Sequence, residues 1–150
     1  MEANDTLPHL CAAFICEKVL EGKDGTLSAI RLIDQFFSRT PPAPGQEQPP
    51  VVAQGFLVVG FKAGDARGPR KVTLELKDPE GKVLHQFAVD MVFAEPETGH
   101  NIIAQIAIQL PKPGIYWFDV LVGAVRVTRI PIHFKATRPV EEPSPPPAAG

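Results

Sequence analysis

The chain has 150 residues, of which 44% are hydrophobic, and a formal net charge of −2. That length supports one domain whose core can form without disulfides or a structural metal. The charge balance lacks the basic surplus that nucleic-acid binding draws on, and no apolar run approaches the roughly 20 residues a membrane-spanning helix needs.

Residues 1–6 are polar and expected to fray. Residues 7–16 are too short for a secretion signal, contain His9, and follow Glu2 and Asp5 rather than a basic stretch. PHLCAAFICE, residues 8–17, predicts a first strand, with a helical turn near residues 17–20 left open. Gly22-Lys23-Asp24-Gly25 is a turn signal. In TLSAIRLIDQFF, Ile30, Leu32 and Phe36 alternate with Ala29, Arg31, Ile33 and Gln35 until Asp34 breaks the apolar face. That is mostly period two and predicts a strand.

Residues 40–50, TPPAPGQEQPP, hold five of the 17 prolines. Proline lacks an N–H and fixes φ, so this stretch predicts a long exposed loop, stiffened locally toward polyproline II. GFLVVGFKAG, within residues 54–64, predicts a strand, and Gly60 inside it marks a bulge or a close backbone approach. In RKVTLELKD, Val72, Leu74 and Leu76 alternate with Thr73, Glu75 and Lys77. Asp78-Pro79-Glu80-Gly81 then predicts a type I turn with Gly81 in a left-handed bulge position. KVLHQFAVDMVF is the return strand.

AEPETGHN reads as a loop. Ile102, Ala104, Ile106, Ile108 and Leu110 mark one face of the next strand. Pro111-Lys112-Pro113-Gly114 leads into a final hairpin of residues 115–122 and 125–134. Five more prolines fall after residue 135, where the composition collapses to Pro, Glu, Ala and Ser. Such a tail buries too little surface to offset its ordering entropy. The expected architecture is an all-β antiparallel β-sandwich, immunoglobulin-like or jelly-roll-like, of about eight strands over residues 7–135, with a disordered proline-rich tail over 136–150.

Cys11 and Cys16 are five residues apart. On one strand they point to opposite faces, roughly 16 Å apart at ~3.3 Å per residue. A disulfide spans no more than about 7 Å between Cα atoms. Two free thiols, and hence a cytoplasmic protein, are expected.

PHLCAAFICEKVL, KDGTLSAIRLIDQF, VTLELKDPEGKVL, and LPKPGIYWFDVLVG followed by RIPI resemble an uncharacterised family of small bacterial β-sandwich proteins. The likeness covers most of residues 8–134. Its most specific part is PGxYWFDV, then a hairpin and R-x-P. The resemblance implies the sandwich fold and no activity. It also implies Asp-Gly at the last turn, where this chain has Val122-Gly123. Valine tolerates φ > 0 poorly, so the turn is expected on Gly123-Ala124 with glycine first, as type II′.

The chain carries no phosphate-binding glycine loop, dinucleotide fingerprint, zinc-protease helix or nucleophile elbow. Ser28, Ser38 and Ser144 lack the sharp turn and neighbouring base a serine nucleophile needs. His9 and Cys11 share a strand face, but zinc would require two further ligands. Glu95, Glu97 and His100 form a polar loop too poor in oxygens for calcium. Arg67, Arg70 and Lys71 read as a solvated basic stretch. No cofactor, metal or catalysis is expected.

The last hairpin carries the surface candidates. Tyr116, Phe118 and Val120 share a face with Val125 and Val127, while Ile115, Trp117, Asp119 and Leu121 share the other with Arg126 and Thr128. Large apolar residues on both faces mean the outer face is either covered or used. In the covered case, Asp119 and Arg126, near-opposite in either turn register, form a cross-strand pair of roughly 0.2–1 kcal/mol and a loop covers Trp117. In the used case, Trp117, Asp119, Leu121 and Arg126 form an interaction patch, since Trp and Arg are enriched at interfaces. The expected function is a non-catalytic module that binds an unknown protein partner or self-assembles into a homo-oligomer. The alternative is a small-ligand or carbohydrate-binding sandwich.

Overall fold

Strict alternation in the middle of the chain sets the two layers. In Val72, Leu74 and Leu76 every side chain points inward and is fully buried, while on the other face of the strand Glu75 and Lys77 stay partly exposed and Thr73 is covered. Ile102, Ile106, Ile108 and Leu110 do the same on a second strand, and Tyr116, Phe118 and Val120 on a third. A strand's period of two allows one buried and one wet face, and two such strands from different sheets bury each other.

A computed structural model describes residues 3–38, 44–46 and 49–136. Nine strands run through them: β1 (His9–Glu21), β2 (Leu27–Leu32), β3 (Gln35–Phe37), β4 (Val51–Lys62), β5 (Gly68–Lys77), β6 (Val83–Phe93), β7 (Gly99–Leu110), β8 (Gly114–Val122) and β9 (Val125–Lys135). A four-stranded sheet has the order β2-β1-β4-β7 and a five-stranded sheet the order β3-β9-β8-β5-β6. Neighbours are antiparallel except β3 and β9, which are parallel. The alternation of β4 to β9 between sheets is the Greek key of an immunoglobulin-type sandwich, with β6 extending the sheet built on β5, β8 and β9. Of the two expected forms, the jelly roll is excluded by this strand order. The core lies between the sheets, filled by Leu57, Val59 and Phe61 from β4 and by the inward rows of β5, β7, β8 and β9.

Three elements differ from the sequence expectation. The first strand runs on to Glu21, with no helical turn at residues 17–20. TLSAIRLIDQFF is two strands rather than one. β1 pairs with β4 over His9–Cys16 and with β2 over Cys16–Glu21, so β2 lies on the far side of β1 from β4. The chain then changes sheets: Ile33 N–H donates to Ile15 O at 2.7 Å, and Asp34 O accepts His133 N–H at 2.9 Å. Asp34, which interrupts the apolar pattern, sits at the changeover. Finally, the start of the chain is tied down. Arg70 donates to the carbonyls of Asn4 (2.6 Å) and Thr6 (3.0 Å), and Asn4 Oδ1 accepts Arg67 N–H at 2.9 Å. The basic stretch read as solvated is therefore a clamp for Arg67 and Arg70.

The turns follow the sequence chemistry closely. Gly81 has φ +90°, and Asp78 Oδ1 accepts the backbone N–H groups of Glu80 and Lys82 at 2.9 and 2.8 Å. Gly123 has φ +59° while Ala124 stays at negative φ, and Val122 pairs with Val125, as type II′ requires. Gly60 is a close approach: a Cβ there would sit 2.8 Å from Asn101 Oδ1, and the bulge lies opposite, at Cys11 of β1. Most of the proline-rich loop and residues 137–150 of the tail lie outside the described residues.

At the entry to β8, Tyr116 is fully buried, and its hydroxyl donates to Lys112 O at 2.7 Å and accepts Lys112 N–H at 3.2 Å. This is the tyrosine corner of immunoglobulin-type sandwiches. It closes the Pro111–Gly114 connection onto the core. Tyr116→Phe leaves the partly buried carbonyl and N–H of Lys112 without their partner, and is expected to cost about 1–3 kcal/mol. A drop in the urea midpoint at unchanged m-value checks this.

Candidate interaction face on the five-stranded sheet

The solvent side of the five-stranded sheet is built from three cross-strand rows. Lys77, Trp117 and Pro131 lie side by side on β5, β8 and β9; Glu75, Asp119 and Arg129 form the next row; Thr73, Leu121 and Arg126 the third. All point away from the core because Leu76, Phe118 and Ile130 between them point inward.

The order within these rows corrects one expectation. β9 carries one extra residue, Val127, where Val120 pairs with Thr128 and Leu121 with Arg126. This bulge shifts the strand by one and puts Arg129 opposite Asp119, the place Thr128 would otherwise take, while Arg126 stands opposite Leu121, diagonal to Asp119. Val125, next to the turn, stands exposed instead of joining Tyr116 and Phe118, while Val127 packs against the core. Alternation in VRVTRIPI does not announce the bulge: in the unbulged register that follows from Val122 opposite Val125, Thr128 would face Asp119.

Asp119 is 0% exposed although its face is the solvent side. Arg129 Nε donates to its Oδ1 at 2.9 Å. Lys77 Nζ lies 2.7 Å from Oδ2, yet Oδ2 makes no directed hydrogen bond, so that contact is best described as close charge pairing. Arg126 Nη1 stands further off, at 3.8 Å from Oδ2. Burial pushes the Asp119 carboxyl up, but the close contact with Lys77 and the hydrogen bond from Arg129, with the positive charge of both, outweigh it and hold the group below the ordinary carboxylate value.

Arg129 makes a second contact. Its guanidinium lies 4.5 Å from the centroid of the Trp117 ring, a cation–π stack worth about 0.5–1 kcal/mol at a partly exposed site. Trp117 is thus covered by a neighbouring side chain, not by a loop. The result is an aromatic–guanidinium pair fixed from below by a buried carboxylate, with Ile115, 40% exposed, beside it. Of the sequence candidates, Trp117, Asp119 and Leu121 adjoin one another and Arg126 sits at their margin. Lys77 and Arg129 are the members that sequence reasoning missed.

The other candidates do not converge. Cys11 is exposed and Cys16 buried, both as free thiols. Burial pushes the Cys16 thiol up, against hydrogen bonds with the Lys18 and Ile30 backbone, which lowers its thiolate fraction. His9 and Cys11 gain no further ligand; among the described residues no three His, Cys, Asp or Glu side chains come together to hold a metal ion. His100 Nε2 bonds the Val92 carbonyl at 2.7 Å and its ring meets Phe93 edge-on, a packing role. Elsewhere, a cleft of about 560 Å³ opens where β1 leaves β4, beside Phe36, Phe37 and Phe56. No helix among the described residues is long and apolar enough to cross a membrane.

A family model matches residues 11–135, from within β1 to the end of β9. The chain belongs to that family, DUF6941, a family of unknown function. The match covers the sandwich from the third residue of β1 onward, including the face just described, and assigns no activity to it. No curated protein matches this DUF6941 chain. The family resemblance read from PGxYWFDV and R-x-P therefore stands, and those residues have structural meaning: Gly114 and Tyr116 make the corner, Trp117 and Asp119 the outer row, and Arg129 of R-x-P the cation that joins them.

Two outcomes follow from this geometry. Asp119 has a folded value below the unfolded one near ~3.9. It therefore contributes stability that is present above the unfolded value and lost as pH falls through the folded value. Asp119→Asn is expected to lower stability by about 1.5–3 kcal/mol at pH 7, with the gap to wild type closing in acid; urea midpoints from pH 7 to pH 2 measure it. Arg129→Ala removes a charged hydrogen bond and the stack, and is expected to cost about 1.5 kcal/mol or more. Arg126→Ala stays within about 0.5 kcal/mol. Equal losses from the two arginine variants would show the register of the bulge to be wrong.

Proposed function

We propose that this DUF6941 chain is a non-catalytic β-sandwich module that binds another protein through the outer face of the five-stranded sheet, centred on Trp117 and Arg129. The observation that carries the reading is the stacked pair itself, held in one geometry by Asp119. Trp and Arg dominate binding energy at protein interfaces, and a side chain already ordered loses less entropy on binding. Ile115 and Leu121 extend the apolar area beside the pair. Lys77, Arg126 and Arg129 outnumber Asp119 and Glu75 there, so the face suits a partner surface that offers carboxylates next to an apolar patch. Two unpaired thiols support action in a reducing compartment, the cytoplasm.

The test is capture from lysate of the source cells with wild-type, Trp117→Ala and Arg126→Glu baits of matched thermal stability. One protein enriched by wild type and lost with both variants is the expected result. Capture that survives both substitutions, or no enrichment at all, overturns the reading.

A further inference from the structure

Every sandwich leaves sheet edges whose N–H and C=O groups can pair with another chain, and such edges ordinarily carry a device that blunts them. The edges here can be compared strand by strand among the described residues. β3 is only three residues long. β2 carries Arg31 at φ +57°, which interrupts its ladder. The free half of β1 has the bulge at Cys11. The free part of β9 contains Pro131 and its own bulge. β6 bears the charge of Asp90 and a register irregularity at Leu84.

β7 has none of these. It is 12 residues long, pairs with β4 without a break in register, and contains no proline, lysine, arginine, aspartate or glutamate. Among the described residues its other side is unpaired: β7 ends the sheet, and residues 101–110 make no further hydrogen bond. Twelve residues without a lysine, an arginine or a carboxylate, in regular extended conformation, are a template for a further strand.

We propose that this edge pairs antiparallel with β7 of a second copy of the chain, across a two-fold axis at Gln105, joining two four-stranded sheets into one of eight. The sequence of β7 is self-complementary under that operation. On the outer face Gln105 meets its own copy, Ile103 meets Ala107, and Asn101 meets Gln109. On the inner face Ile102 meets Ile108, and Ala104 meets Ile106. Each large side chain on the outer face faces a small or amide one, no pair brings charge together, and a two-fold contact of this kind closes at the dimer. A foreign strand would satisfy the same backbone groups, but nothing in its sequence would be fixed by β7's own; self-complementarity selects the second copy. The surface is separate from the face around Trp117, which lies on the other sheet.

The experiment uses the full chain and light scattering after size exclusion. Wild type is expected at twice 16.3 kDa, dissociating on dilution. Gln105→Lys and Gln105→Glu each place like charges opposite one another and are expected to weaken the dimer at least tenfold, with unchanged thermal unfolding of the exposed-site variants as monomers. An equimolar mixture of the two is expected to recover the dimer. Trp117→Ala is expected to leave it intact, which separates this proposal from the reading of the other face. A wild-type monomer at millimolar concentration, a dimer indifferent to both charges, a mixture that stays monomeric, or a ladder of species beyond the dimer would each overturn it.

Discussion

The packing of two inward rows against each other is the constraint from which the remaining geometry follows. Leu57, Val59 and Phe61 of β4 face Leu74 and Leu76 of β5 and Tyr116, Phe118 and Val120 of β8 across the sandwich. Once those rows are buried, a one-residue slip on any of these strands would turn its apolar set to water. Every outward residue is then determined by its neighbours, and Trp117 and Asp119 must stand on the solvent side because Tyr116, Phe118 and Val120 cannot. The tyrosine corner reinforces the same choice by fixing Tyr116 to the chain four residues before it.

That constraint explains why a carboxylate can be buried on an outer face. β8 is the middle strand of its sheet, flanked by β5 and β9, so Asp119 has long side chains on both sides and along its own strand. Burial alone would disfavour its charge. Two cations at hydrogen-bonding distance reverse the balance, and both retain partial exposure, so neither bears the desolvation of a fully buried ion. The arrangement costs little and restricts Arg129 to one orientation, in which its planar guanidinium lies over the indole. A lysine at 129 would supply the charge but neither the flat stacking surface nor the fixed fork.

The strands, the Asp78–Gly81 turn, the type II′ turn and the composition of the outer row were legible in the sequence, because each depends on period two or on glycine and proline at fixed places. Three things were not. The split of residues 26–37 between two sheets is a tertiary choice, visible in sequence only as Asp34. The clamp of Asn4 by Arg67 and Arg70 joins residues more than sixty apart. Arg129 as the nearer partner of Asp119 was missed, since without the bulge Thr128 would stand opposite it and alternation alone does not announce a bulge; Arg126 keeps only the longer contact. The candidate face was therefore found while the interaction that orders it was missed.

The same bulge bears on why β9 and β7 differ as edges. β9 twists at Val127 and loses a donor at Pro131, features that serve the outer face by delivering Arg129 and at the same time discourage a further strand. β7 keeps an unbroken ladder with β4 along its whole length. Irregularity in this sandwich is concentrated where side chains must be aimed, and regularity persists where only the backbone is presented. On that argument the two proposed surfaces differ in kind: the one around Trp117 would work through side chains aimed by irregular backbone, the edge of β7 through regular main chain alone.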